Sequence, residues 1–106
     1  MDSVLVTGGT GFVGFWLKQT EPDSVNCWYI GKDNYESAPW GFHSWDCIVH
    51  LANIAPKKVL TYCRLNNARL LYCSSGIVYH PENDTEYRRN KIKWEQECLD
   101  SGADVV

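Results

Sequence analysis

Four glycines crowd the run Thr7-Gly8-Gly9-Thr10-Gly11-Phe12-Val13-Gly14, with Gly8, Gly11 and Gly14 in G-x-x-G-x-x-G spacing. Between a strand and a helix, that spacing belongs to diphosphate binding. The first glycine permits a tight turn, the second lets a pyrophosphate approach the backbone, and the third lets helix and strand pack closely. The N–H groups of residues 11 to 13 and the positive end of the helix then face the anion, so the segment from Thr10 to Val13 is the expected cradle. Asp33 follows 25 residues after Gly8, at the end of the next predicted strand. A carboxylate there holds both ribose hydroxyls of an adenosine and repels a 2′-phosphate, which favours NAD over NADP, although Lys32 beside it weakens that preference. With no ligand, the same residues would be a glycine-rich turn and a solvated loop acid. The strand before and the helix after give the motif its weight.

A second group lies toward the end of the chain. Tyr87 and Lys91 are four apart on a predicted helix and point the same way; the stripe continues through Trp94 and Cys98, so Lys91 is an ammonium on the inward face. Arg88, Arg89 and Lys93 are left to point outward. A cation beside a phenol stabilises the phenolate and makes tyrosine a usable acid or base. Ser74 and Ser75 end the strand against which that helix should pack, where a hydroxyl can hydrogen-bond a carbonyl or carbinol oxygen. A Tyr-x-x-x-Lys pair alone is common by chance; its position after two serines is what matters.

The elements that must hold these groups alternate. Strands are predicted at Val4–Thr7, Val25–Ile30, 46–52, 69–74 and 103–106, and helices at Phe12–Thr20, Lys57–Asn66 and about 85–101. Pro22 stops the first helix, Asn66-Asn67 the second and Gly102 the third, whose start carries a capping box in Asn83-Asp84-Thr85-Glu86. Residues 35–44, with Pro39 and Gly41, are expected to be a loop. Strands alternating with helices imply right-handed crossovers. The expected fold is α/β, a minimal Rossmann-like doubly wound parallel sheet of about five strands with three helices. Ligands bind such sheets beyond the carboxyl ends of the strands, where strand order reverses.

Composition sets the bounds. The 106 residues suffice for one domain, 1–106, and 44% hydrophobic with 22% charged residues marks a globule rather than a disordered chain. No apolar run reaches a membrane span, and no basic flank precedes the first apolar stretch, so neither a membrane segment nor a signal peptide is expected. A net charge of −3 with scattered Lys and Arg excludes a nucleic-acid surface. Five cysteines, Cys27, Cys47, Cys63, Cys73 and Cys98, form no C-x-x-C pair and sit in apolar stretches, as buried thiols of a reducing cytoplasm do. The histidines His43, His50 and His80 pair with none of them at zinc-finger spacing, so no metal site is expected.

In the blocks VLVTGGTGFVG (4–14), GKDN (31–34), DCIVHLA (46–52), LLYCSSGIVY (70–79) and YRRNKIKWEQ (87–96), the chain resembles the extended short-chain dehydrogenase/reductase family, the NAD-dependent sugar epimerases and dehydratases. The resemblance implies that Gly8, Thr10, Gly11, Phe12, Val13 and Gly14 bind the pyrophosphate and that Asp33 and Asn34 hold the adenosine ribose. It implies that Leu51 and Ala52 line the cofactor groove, and that Ser75 rather than Ser74 is the catalytic hydroxyl. Tyr87 is then the acid/base, and Lys91 both tunes it and holds the nicotinamide ribose. Family members are much longer. Relative to them a strand and helix are missing between Asp33 and Asp46, a helix is missing after HLA, and the substrate-binding C-terminal domain is expected to be absent. Two functions follow as alternatives. One is a miniature NAD-dependent oxidoreductase acting on a nucleotide sugar; the other is a non-catalytic dinucleotide-binding or assembly module. A homodimer through helices 57–66 and 85–101 is also expected. Family dimers pair through these helices, and Val59, Leu60, Tyr62, Cys63 and Leu65 make the first of them apolar on more than one side.

Overall fold

The computed structural model describes residues 2–9, 11–31, 35 and 44–106. The β-branched run after Asp2 forms β1 (Asp2–Thr7), and the glycine turn leads into α1 (Phe12–Thr20). Then come β2 (Val25–Ile30), β3 (Cys47–His50), α2 (Lys57–Asn66) and β4 (Arg69–Tyr72). A 3-10 turn at Gly76–Tyr79, absent from the sequence reading, precedes α3 (Glu86–Asp100) and β5 (Asp104–Val105). All pairings are parallel and the sheet order is β2-β1-β3-β4-β5, a Rossmann-like α/β arrangement. Strand order reverses beside β1, and the crevice opens there between the ends of β1 and β3.

Right-handed crossovers place α1 on one face of the sheet and α2 and α3 on the other. Leu5, Ile30, Ile48, Leu70 and Tyr72 from the strands pack with Val59, Tyr62 and Cys63 of α2 and Cys98 of α3. The α2 stripe follows the i, i+3, i+4 spacing that turns one helix face inward. Its end is set by Asn67, in the left-handed conformation at φ 53°, whose N–H returns to the Cys63 carbonyl. Gly102, at φ +80°, stops α3 as expected, and a Cβ there would meet nothing, so only the backbone requires glycine.

Four expectations are corrected. The capping box does not form: Thr85 caps α3, accepting the Arg88 N–H at 3.1 Å, and Arg88 stands where a box needs Glu or Gln. Instead Asp84 pairs with Arg89 at 2.8 Å. β3 is shorter than residues 46–52: the Leu51 N–H still reaches the Thr7 carbonyl at 3.2 Å, but the Ala52 N–H goes to the Thr7 side-chain oxygen at 3.3 Å. β4 ends at Tyr72, although the Cys73 N–H still reaches the His50 carbonyl and the Ser74 N–H that of Val106. Tyr35, the first residue of the expected loop 35–44, is a turn residue in keeping with that expectation, and residues 36–43 lie outside the described residues. Tyr35 is buried, as is Trp45 just beyond the expected loop, and the Trp45 N–H donates to the Tyr62 hydroxyl at 3.0 Å. Only Cys63 and Cys98 of the five free cysteines are fully buried; Cys27, Cys47 and Cys73 are half-buried. Burial pushes the Cys63 thiol up to about 12 and the Cys98 thiol up to about 11.

Candidate functional site

The glycine turn lies at the carboxyl end of β1, against the segment that leaves β3. Gly8 has φ +74°, and a Cβ there would come within 2.8 Å of the Ala52 nitrogen. Gly9 donates to the Ile30 carbonyl at 2.9 Å, tying the turn to the end of β2, and its Cβ would meet the Tyr29 Cβ at 2.7 Å. A Cβ on Gly14 would sit 2.6 Å from the Gly8 oxygen, because the start of α1 presses on the turn. These three glycines are demanded by the protein's own packing. Gly11 is different: its nearest such contact is 3.4 Å, and it is exposed. The fold has little internal need for glycine there, since a Cβ would be tolerated in ordinary contact at the first turn of the helix.

Gly11 is also the N-cap of α1 and has no side chain to satisfy the amides that follow. One expectation changes here. The Gly11 N–H donates to the Gly8 carbonyl at 3.0 Å, so the cradle donors begin at Phe12 and Val13 rather than at residue 11. Thr10, Asp33 and Asn34 lie outside the described residues.

Beneath the turn is a buried network that the sequence reading passed over. Thr7 and His50 are fully buried and face each other across β1 and β3, with Thr7 Oγ1 2.7 Å from His50 Nδ1. His50 Nε2 lies 2.9 Å from the Ile54 carbonyl. That carbonyl can only accept, so Nε2 carries the proton and Nδ1 accepts from the Thr7 hydroxyl. The same Thr7 oxygen accepts the Leu51 and Ala52 amides at 3.2 and 3.3 Å. This fixes the wall on which the glycine turn rests. Burial lowers the His50 pKa below the usual range, and the Lys91 charge adds to that, against the raising effect of the bond to Ile54. The signal was present in the strand: His50 shares the inward parity of Ile48.

The third part comes from β4 and α3. Lys91 is only 4% exposed, whereas Tyr87 is 41% exposed. The Lys91 ammonium stands 5.8 Å from the Tyr87 ring centre, 5.6 Å from that of Tyr72 and 5.8 Å from that of Trp94. Three ring faces at such distances attract a cation. Tyr72 in turn stacks on His50 with centroids 5.9 Å apart, so the lysine reaches the network under the glycine turn through one aromatic ring. Ser75 closes the 3-10 turn by accepting the Val78 N–H at 3.2 Å, and the Val78 carbonyl accepts from the Arg88 guanidinium at 2.9 Å. The turn after Ser75 is thus tied to α3 one residue beyond Tyr87. Ser74 Oγ and the Tyr72 hydroxyl are buried without a hydrogen-bond partner among the described residues. No group of three or more His, Cys, Asp or Glu side chains gathers among the described residues in a way that could hold a metal ion. None of the described helices is long and apolar enough to cross a membrane.

No protein-family model and no curated protein sequence matches the chain. Solved structures do resemble it. The capsular polysaccharide assembling protein CapF of Staphylococcus aureus aligns with TM-score 0.66 at 24% identity, over 97% of this chain and 32% of CapF. The ADP-L-glycero-D-manno-heptose-6-epimerase of Helicobacter pylori aligns with TM-score 0.71 at 16% identity, over 93% of this chain and 50% of its own. A dTDP-4-dehydrorhamnose reductase from Clostridium acetobutylicum gives 0.71 at 17%, over 89% of this chain and 48% of its own. The chain therefore spans a third to a half of those proteins, and the likeness is one of fold.

Proposed function

We propose that this chain binds NAD at the crevice between β1 and β3 and is an oxidoreductase of the epimerase/dehydratase kind, taking a nucleotide sugar. The observation that carries the reading is Gly11, where a Cβ would make only ordinary contact, 3.4 Å from the Gly8 oxygen, at the mouth of a helix whose first amides have no cap from it. The amides of Phe12 and Val13 would hold the diphosphate together with Thr10, and Gly8 and Gly14 shape the turn. Asp33 and Asn34 would hold the adenosine ribose, and the preference for NAD over NADP rests on that carboxylate. Leu51 and Ala52, fixed by Thr7, form the wall. Bound nicotinamide would supply the hydride acceptor. The chain's own residues would handle the proton: Ser75 would orient the substrate hydroxyl, and the Tyr87 oxygen would take its proton. Lys91, whose ammonium stands 5.8 Å from the Tyr87 ring centre, would hold the nicotinamide ribose beside it. The epimerase and reductase named among the similar folds favour this class of substrate.

Titration with NAD, NADH and NADP, read as a shift in melting temperature, tests the binding. A ligand at a hundred times its Kd stabilises by about 2.7 kcal/mol. NAD should raise the melting temperature and NADP should do so less. Gly11→Ala should cost at most about 1 kcal/mol of stability yet abolish most of the NAD-induced shift. No shift at millimolar NAD overturns the proposal. Tyr87→Phe should retain the shift and lose NADH formation on nucleotide sugars. Binding without turnover in the unaltered chain would leave the module reading and remove the enzyme.

A further inference from the structure

We propose that Trp94 and Tyr72 are positioning residues for Lys91, holding its ammonium by their ring faces so that its hydrogen-bond donors stay free for the dinucleotide, an assignment that rests on the NAD-binding reading above. Lys91 is 4% exposed, and among the described residues its ammonium has no hydrogen-bond or ion-pair partner. A buried ammonium is ordinarily paired, because its desolvation is otherwise uncompensated. Glu95 lies four residues on, at the spacing of a helical ion pair, yet makes none with it. The neighbours of the ammonium are rings instead, with the centroids of Tyr72, Tyr87 and Trp94 at 5.6, 5.8 and 5.8 Å. Ring faces attract a cation, indole most strongly. They fix the charge without engaging its N–H groups as a carboxylate would.

The placement of the rings gives the ammonium a direction. β4 and β5 are parallel, so α3 between them runs from the carboxyl ends of the strands back toward their amino ends. Tyr87, one turn before Lys91, therefore stands on the crevice side and is exposed, while Trp94, three residues after it, lies deeper and packs against the core. Tyr72 closes the sheet side, its ring also stacked on His50. Side chains on a helix lean toward its N-terminus. With Trp94 behind it and Tyr72 beneath it, the ammonium is left one way to lean, past Tyr87 toward the crevice. Tyr72 does this through its ring alone. Its hydroxyl is buried without a hydrogen-bond partner among the described residues, so removing that oxygen deletes an unsatisfied group and leaves the ring face in place.

Paired variants separate a ring face from mere apolar bulk. The NAD dissociation constant, measured by titration of the full chain, should rise on the order of tenfold in Trp94→Leu and about twofold in Trp94→Phe, which keeps a face. Tyr72→Phe should bind NAD as the unaltered chain does and melt no lower, whereas Tyr72→Leu should weaken binding on the order of tenfold. Proton resonances give a readout that needs neither ligand nor variant. In the unaltered chain the Lys91 ε-methylene protons should lie upfield of those of the exposed lysines, shifted by the surrounding rings, and Trp94→Leu should move them back. Lys91 protons at the ordinary position, equal NAD affinity in Trp94→Leu and Trp94→Phe, or loss of NAD binding in Tyr72→Phe would each overturn the assignment and leave the NAD-binding reading standing. No NAD binding by the unaltered chain would overturn that reading and the assignment with it.

Discussion

The two faces of the sheet are made from alternate residues of the same strands, so they share chain, length and register. On the α2/α3 face Leu5, Thr7, Ile48, His50, Leu70 and Tyr72 are all buried, and the polar members are bonded into a network. On the α1 face the intervening Val4, Val49 and Leu71 stay half-exposed. Strand propensity cannot account for the contrast, since the same backbone serves both. What differs is the helical layer: two helices with inward stripes against one helix seated through a single glycine. Stability therefore resides mainly on the α2/α3 face.

The most severe way to break this comparison is to truncate neighbours of opposite parity. Ile48→Ala should cost about 3 kcal/mol, because its fully buried side chain leaves a cavity. Val49→Ala, one residue away, should cost about 1 kcal/mol or less. Equal losses in urea denaturation would mean that both faces carry the core. Next in size is Gly14→Ala, at about 2 kcal/mol, since the new Cβ would be driven to 2.6 Å from the Gly8 oxygen and from Gly9 Cα. Gly14→Ala should therefore exceed Gly11→Ala in stability loss. A harmless Gly14→Ala would show that α1 is not seated on the turn as described.

Much of this was legible in the sequence, and the failures share a cause. α1, β2 and α2 were placed to the residue because local signals end them: Pro22 after α1, and the pair Asn66-Asn67 after α2. Tyr87 and Lys91 were paired correctly because helical spacing is itself local. Thr7 and His50, by contrast, are 43 residues apart and meet only through the β1/β3 register. No window along the chain contains that contact. Trp45 and Tyr62 are 17 apart, and their bond ties the residue just after the expected loop to α2. The capping box failed on a finer point: Thr85 and Asn83 are both good caps, and only the backbone decides between them. Asn83 instead offers its carbonyl to the Thr85 N–H at 2.9 Å, which sets Thr85 at the helix start.

The buried network gives the gentlest test, because it is felt only below neutral pH. His50 has both ring nitrogens committed and is neutral in the folded chain, its pKa lowered first by burial and then by Lys91. In the unfolded chain the imidazole titrates near its ordinary value of about 6.5. Between the lowered folded pKa and that value, the unfolded state binds more protons, so stability rises with pH and is complete above about 6.5. The melting temperature should fall as pH drops below that point, before the carboxylates titrate. His50→Gln should start from a lower melting temperature and lose that part of the slope. The loss should also reach the α1 end of the crevice, because Thr7 would no longer be held by the ring and would release the Leu51 and Ala52 amides. A slope unchanged by the substitution would detach His50 from the stability of the closed face.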